Sequence, residues 1–229
     1  MELPRFFEEL DRRIAKYDLL CHPFYKAWAA GTLTRQDLRE YAGQYWNQVA
    51  AFPVALTILH GRLPNGELRQ AVLHNYWDEV GIEAPDRRPH DEIWLDFAEG
   101  MDGTRMTARP ILEMDDLTAL FQHIARTGAP EEALAAFYAY ESQVPRVAKT
   151  KAEGLRKFYG ADDNTCRYFD IHVTADEHHS AVWRQELGKL IDAGGNAEKA
   201  LAAAETIAQA LWRALSGIER DRQSKRSAA

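Results

Sequence analysis

The run His172-Val-Thr-Ala-Asp176-Glu-His-His179 is the part of this sequence best suited to chemistry. His172, Asp176 and His179 are separated by four and three residues, so on a helix they project from one face. Two imidazoles and a carboxylate on one face form a donor set suited to iron or manganese. His178 falls about 100° away around the helix and is expected to stand outside or behind that set. The plain alternative is a solvated polar face with chance histidines.

Two further segments carry donors. Glu141 ends the stretch Phe137-Tyr-Ala-Tyr140-Glu141, whose apolar residues should turn it toward a core. A carboxylate there is costly to bury unless it is paired or bound to metal. Pro145, four residues on, cannot donate to the Glu141 carbonyl, so an interior kink is expected beside it. Glu79 closes one helical segment and His90 opens the next, with Glu83 as a rival because it lies closer to His90. Glu79, His90, Glu141, His172, Asp176 and His179 together make three carboxylates and three imidazoles. Helical di-iron proteins hold two ions with related inward-facing sets.

Lys151 lies ten residues after Glu141, on what reads as the same long helix, and can approach the site from one side. Tyr25, Trp28, Tyr41, Tyr45 and Trp46 follow helical spacing and read mostly as core, although a tyrosine near an oxidising metal can take part in redox chemistry. His22, His60, His74 and His123 read as capping or surface residues. Cys21 and Cys166 are far apart and form no CxxC pair, which argues against a thiolate zinc site.

The elements that must position these residues are helical. The periodicity predicts helices over 3–20, 24–30, 38–63, 67–80, 90–99, 109–127, 131–159, 166–191 and 197–218. Pro23 suits a first helical turn, Gly31 a helix end, and Thr34-Arg-Gln-Asp37 a variant capping box. Pro53 is a second expected kink. No convincing strand alternation appears. The fold class is therefore all-α, a bundle of seven to nine helices forming one domain over 1–218, with 219–229 as a solvated polar tail.

Bulk properties agree. The chain has 229 residues, 46% of them hydrophobic, which suffices for one core. Its formal charge of −7 is unfavourable for nucleic-acid binding. No apolar run approaches the ~20 residues of a membrane span, and MELPRFFEELDRR lacks a signal-like stretch. A soluble cytoplasmic protein with no nucleic-acid or membrane partner is expected.

Longer motifs carry a resemblance. HPFYKAWAAGTLTRQDLREYAGQYW at 22–46, AAFPVAL at 50–56, NYWDE at 75–79, HDEIWLDF at 90–97, FYAYESQVPRVAKTKAEGL at 137–155 and YFDIHVTADEHHSAVW at 168–183 are similar to the Chlamydia protein associating with death domains and its bacterial relatives. These are haem-oxygenase-like di-metal oxidases, akin in fold to thiaminase II and pyrroloquinoline-quinone synthase. The resemblance spans about Tyr17 to Leu190. It implies that Glu79, His90, Glu141, His172, Asp176 and His179 bind two metals, either two irons or manganese with iron, and that dioxygen and an external reductant are consumed. It also implies a homodimer. The implied activity makes p-aminobenzoate for folate synthesis from one of the protein's own tyrosines, with a lysine as nitrogen donor. The corresponding residues are Tyr25 of the HPFY motif, Tyr140 before the glutamate ligand, and Lys151. Val80 departs from the acidic residue usual in the family, and the loop before His90 is longer by Ala84 to Arg88.

Three other functions stay open at this point. One is a multiple-turnover oxidase of the same fold acting on a small amine or amino acid. Another is a metal-free hydrolase like thiaminase II, for which Cys166 would have to serve as the nucleophile. The third is a non-catalytic binding or regulatory protein.

Overall fold

A computed structural model describes residues 2–83, 87–103, 105 and 108–227. Among the described residues the chain forms ten α-helices and one short 3-10 helix, with no strand. The α-helices are α1 (Leu3–Ala15), α2 (Pro23–Ala29), α3 (Arg35–Arg62), α4 (Glu67–Glu79), α5 (His90–Gly100), α6 (Leu112–Thr127), α7 (Pro130–Glu141), α8 (Val144–Tyr159), α9 (Asp163–Asp192) and α10 (Ala197–Ser227). The all-α expectation holds. Part of the lengthened stretch before His90, residues 84–86, lies outside the described residues.

Helix starts follow local chemistry. Thr34 Oγ1 accepts from the Asp37 amide while Asp37 Oδ2 accepts from the Thr34 amide, a reciprocal capping box that opens α3. α3 then runs through Pro53 as one helix. His22 caps α2, accepting from the Phe24 amide through Nδ1.

The expected helix over 131–159 is corrected by the structure: it is two helices, broken at Ser142 and Gln143. Pro145 is no interior kink but sits in the first turn of α8, where its missing N–H costs nothing. Gln143 repairs the break. Its side chain donates to the Ala139 carbonyl at 3.1 Å and accepts from the Leu19 amide at 3.1 Å. Buried backbone groups must find partners, and a buried amide side chain supplies both roles here. Lys151 therefore stands on a different helix from Glu141.

The chain's end also differs from expectation. Residues 219–227 continue α10 as regular helix, with 223–227 exposed to solvent as expected. Glu219 is buried and accepts from Arg222 and Gln223. Lys225 reaches Glu40 of α3 at 2.8 Å.

α7 lies at the centre. Ala133 through Glu141 are all buried, and α9 and α10 pack against the helix. A helix that is apolar all round belongs inside a core. α7 and α10 both bury several alanines, small side chains that suit close packing of the two helices. α3, α5 and α9 pack around the same interior, and α8 lies along α9. Gly154 lets α8 approach α2, because a Cβ there would come within 2.9 Å of the Trp28 ring.

Candidate metal centre

The six spaced residues converge. Glu79, at the end of α4, and His90, at the start of α5, meet His172 of α9, with one donor atom from each within 4.8 Å of the others. Glu141, at the end of α7, forms a second such group with Asp176 and His179. One face of α9 thus serves both triads: His172 faces one, and Asp176 and His179 face the other. None of the six is more than 6% exposed. Glu83, the rival to Glu79, pairs instead with His74 at 2.9 Å on the surface.

Each donor is held by a neighbour. His172 Nδ1 donates to the Tyr168 carbonyl at 2.6 Å, which leaves Nε2 for the site. His179 Nε2 lies 2.9 Å from Asp78 Oδ2, while its Nδ1 is buried without a hydrogen-bond partner, 3.4 Å from Asp176 Oδ1. A carboxylate behind a histidine fixes the ring and raises the basicity of the nitrogen facing the metal. The Asn75 amide donates to Glu141 Oε1 at 3.0 Å, and the Trp183 indole N–H donates to Oε2. His90 Nδ1 meets Glu79 Oε2 at 3.1 Å.

The electrostatics are those of crowded buried charge. Burial, reinforced by Asp176 and Glu79, pushes the Glu141 carboxyl up to about 8 against the pull of His179. Burial opposes the charged forms of Glu79 and His90, yet their pairing wins and holds Glu79 low and His90 high. Burial and the neighbouring His90 depress His172. The donor set fits two cations: three carboxylates and three imidazoles, preoriented, with an imidazole nitrogen that has nothing else to bind. The cavity against Glu79, Glu141, His172 and Asp176 amounts to about 10 Å³, about the size of one water.

The other predicted residues divide between two places. Tyr140 lines that small cavity together with Tyr168. Tyr25 and Lys151 lie together in a separate aromatic nest. Lys151 Nζ is 4.4 Å from the Tyr25 ring centroid and donates to Tyr41 Oη at 2.6 Å. Tyr41 Oη is 2.8 Å from Tyr25 Oη. Lys151 has no carboxylate partner among the described residues, and burial pushes its ammonium well below the ordinary lysine range. Tyr41 and Tyr45 stack at 5.3 Å between centroids, so a line of phenols joins the nest to the triads.

The sequence reading missed several contributors. Asn75 sits one turn before Glu79 on α4 and shares its face, a spacing that was available. Asp78 adjoins Glu79 but had no assigned role. Tyr41 looked like core and is core, yet it bridges Tyr25 and Lys151. Trp183, one turn past His179, gave no signal of its contact with Glu141. Cys166, the nucleophile a metal-free hydrolase would need, is buried against the Ala152 carbonyl, with its thiol pushed up to about 11 by burial. His178 is exposed and outside both triads.

Comparison with known proteins agrees with this arrangement. Residues 39–212 match the family model described as iron-containing redox enzyme. The chain belongs to that family. A 4-aminobenzoate synthase of Nitrosomonas europaea is 38% identical to it, over 93% of this chain and 90% of that protein. A 4-aminobenzoate synthase of Chlamydia trachomatis is 31% identical, over 90% and 89%. Among solved structures, a CADD-like protein from Nostoc punctiforme superposes with a TM-score of 0.72 at 15% identity, over 98% and 97% of the two chains. A TenA homologue from Pyrococcus horikoshii gives 0.71 at 17%, over 94% and 98%. The fold is therefore the haem-oxygenase-like bundle, and the chain is an oxidoreductase of the iron-containing redox family.

Proposed function

We propose that this protein makes 4-aminobenzoate by oxidising its own Tyr25 side chain, with Lys151 as the nitrogen donor and a two-metal centre at the triads. The observation that carries the reading is the aromatic nest. A buried amine, deprived of any carboxylate, is held 4.4 Å from the Tyr25 ring by a hydroxyl that also contacts the Tyr25 phenol.

Glu79, His90 and His172 would hold one ion, and Glu141, Asp176 and His179 the other. Iron, alone or with manganese, would supply the oxidising power of dioxygen there, with an external reductant completing the electron count. The chain's own residues do the rest. In tyrosine the hydroxyl and Cβ are para, as are the amine and carboxyl of 4-aminobenzoate. Nitrogen must therefore replace the phenol oxygen, the Cα–Cβ bond and the Lys151 Cε–Nζ bond must both break, and Cβ must be oxidised to the carboxyl level, with dioxygen as the oxidant and the external reductant balancing the electrons. Lys151 Nζ stands one hydroxyl away from that oxygen, through Tyr41 Oη. Desolvation keeps the amine neutral and hence nucleophilic. Tyr41 holds the amine and the phenol together and can pass a proton between them. Tyr41 can take the Tyr25 proton through their hydrogen bond, and its ring stacks on Tyr45, which gives an electron a route from Tyr25 toward the triads.

The cavity at the triads is small, about 10 Å³, which is in keeping with a substrate supplied by the protein itself. The test is intact-mass analysis after aerobic reconstitution with ferrous iron and reductant. One 4-aminobenzoate at most per chain is expected, with mass loss at Tyr25 and change at Lys151. Unmodified tyrosines and lysines in metal-loaded, oxygen-exposed protein would sink the reading. Product well in excess of protein would instead support the multiple-turnover alternative.

A further inference from the structure

Six donors that are almost wholly buried must receive their ions through a wall of protein, and the wall between α4 and α9 is built for a cation. A cavity of about 290 Å³ lies there, lined by Asn75, Asp78, His179 and Trp183. His74, Glu83 and His178 also line it and are exposed to solvent. Three of these residues belong to both sides of the wall. Asn75 and Trp183 hold Glu141 from behind, and His179 is itself a member of the inner triad.

Two further observations point to a ligand in this cavity. Asn75 is 3% exposed, and its Oδ1, a hard oxygen donor, has no hydrogen-bond partner. Asp78, whose side chain is 31% exposed, joins the solvent side to the interior, because its Oδ2 lies 2.9 Å from His179 Nε2. At the mouth, His74 Nδ1 and Glu83 Oε2 already stand 2.9 Å apart, a spacing that one ion can bridge. Imidazole nitrogen with carboxylate and amide oxygen suits a divalent first-row metal. Carboxylates at the mouth of a cavity with low-dielectric walls also concentrate cations there.

We propose that this cavity is a transit site for divalent metal ions. His74, Glu83 and His178 collect the ion at the mouth, and Asp78 hands it past Asn75 to His179. The inference rests on the reading of the two triads as a metal centre. It adds a route and three residues outside that centre.

The test separates rate from capacity. Metal-free full-length protein is mixed with Co(II) under nitrogen, uptake is followed by stopped-flow visible absorbance, and cobalt content is measured at equilibrium. The His74→Ala, Glu83→Gln, His178→Ala triple variant should load about tenfold more slowly, as expected for losing electrostatic capture, while reaching the same final cobalt content as wild type. Ala71→Phe, whose ring would fill the same cavity from its α4 side, should also slow loading. Asp116→Asn on α6, an exposed charge distant in sequence from the cavity lining, should load at the wild-type rate. Wild-type rates in both the triple variant and Ala71→Phe would overturn the route while leaving the centre intact. Wild-type protein that takes up no cobalt would overturn the metal reading, and the route with it.

Discussion

The triads and the Lys151 nest both bury ionisable groups, but they do so in opposite ways. In the triads every ionisable group has a polar partner: Glu79 faces His90, His172 donates to the Tyr168 carbonyl, His179 faces Asp176 and Asp78, and Glu141 accepts from the neutral Asn75 and Trp183. The Lys151 amine has one hydroxyl and six aromatic rings, with centroids between 4.4 and 5.9 Å away. A site that pairs its charges is ready to exchange those pairings for cations. A site that gives a charge nothing to pair with forces it to be neutral. The two arrangements divide the proposed work, with oxidising power at the triads and a nucleophilic nitrogen in the nest.

The largest test of this contrast is metal loading. Filling the triads should relieve the carboxylate crowding and stabilise the fold, by about 4 kcal/mol when free metal exceeds its Kd a thousandfold. Thermal unfolding with Co(II) or Mn(II), then with chelator, measures it. A melting temperature indifferent to both would break the comparison.

The nest should respond in the reverse sense. Lys151→Met replaces an unpaired amine with an apolar chain of similar length and should raise stability at neutral pH by on the order of 1–3 kcal/mol. It should also abolish 4-aminobenzoate. The pH dependence follows from the depressed lysine. Between its folded pKa and the ordinary 10.5, the unfolded chain binds the extra proton, so native stability rises with pH across that window. Urea midpoints taken from neutral to alkaline pH should converge for wild type and Lys151→Met as 10.5 is approached. A constant gap would show that the amine is charged in the fold.

Asp78→Asn sharpens the contrast within the paired site. It keeps the shape but removes the charge behind His179 Nε2, and should weaken metal affinity by about 10- to 100-fold. Competition with a chromophoric chelator reads this directly, and an unchanged affinity would demote Asp78 to a surface acid.

Tyr41→Phe has the smallest expected effect on the fold. It strips Lys151 of its one hydroxyl and should cost about 1 kcal/mol of stability. It should leave metal content unchanged while slowing modification of Tyr25, as followed by peptide mass. If Tyr25 is consumed at the wild-type rate, the Tyr41 bridge is only structural.

Much of this was legible in the sequence because helical spacing is local. The four-and-three interval of His172, Asp176 and His179 predicts a shared face, and all three are buried on α9. Glu79 and His90 could be picked out as carboxylate and imidazole at helix ends and Glu141 as a carboxylate among apolar neighbours, and the family motifs tied them to the others. Helix breaks were read less well. Pro145 signals an irregularity, but whether the chain kinks or restarts depends on what satisfies the freed backbone groups. Gln143 does so through Ala139 and Leu19, and Leu19 lies 124 residues away. The helical end of α10 was hidden for a similar reason. Its mixed charges are solvated, yet Lys225 and Arg220 also pair with Glu40 and Glu113 of distant helices, contacts that local sequence does not show.

The sequence by itself therefore determined most helical segments, the all-α class and the donor types, since each follows from periodicity and side-chain chemistry within one segment. The tertiary structure decided how six donors divide into two triads, that Asp78 and Asn75 back them, and that Tyr25 and Lys151 share a nest with Tyr41 while Tyr140 stands at the triads. Those facts depend on which faces of α2, α3, α7, α8 and α9 meet. Helix packing sets that through side chains far apart in the chain, and no local spacing encodes it.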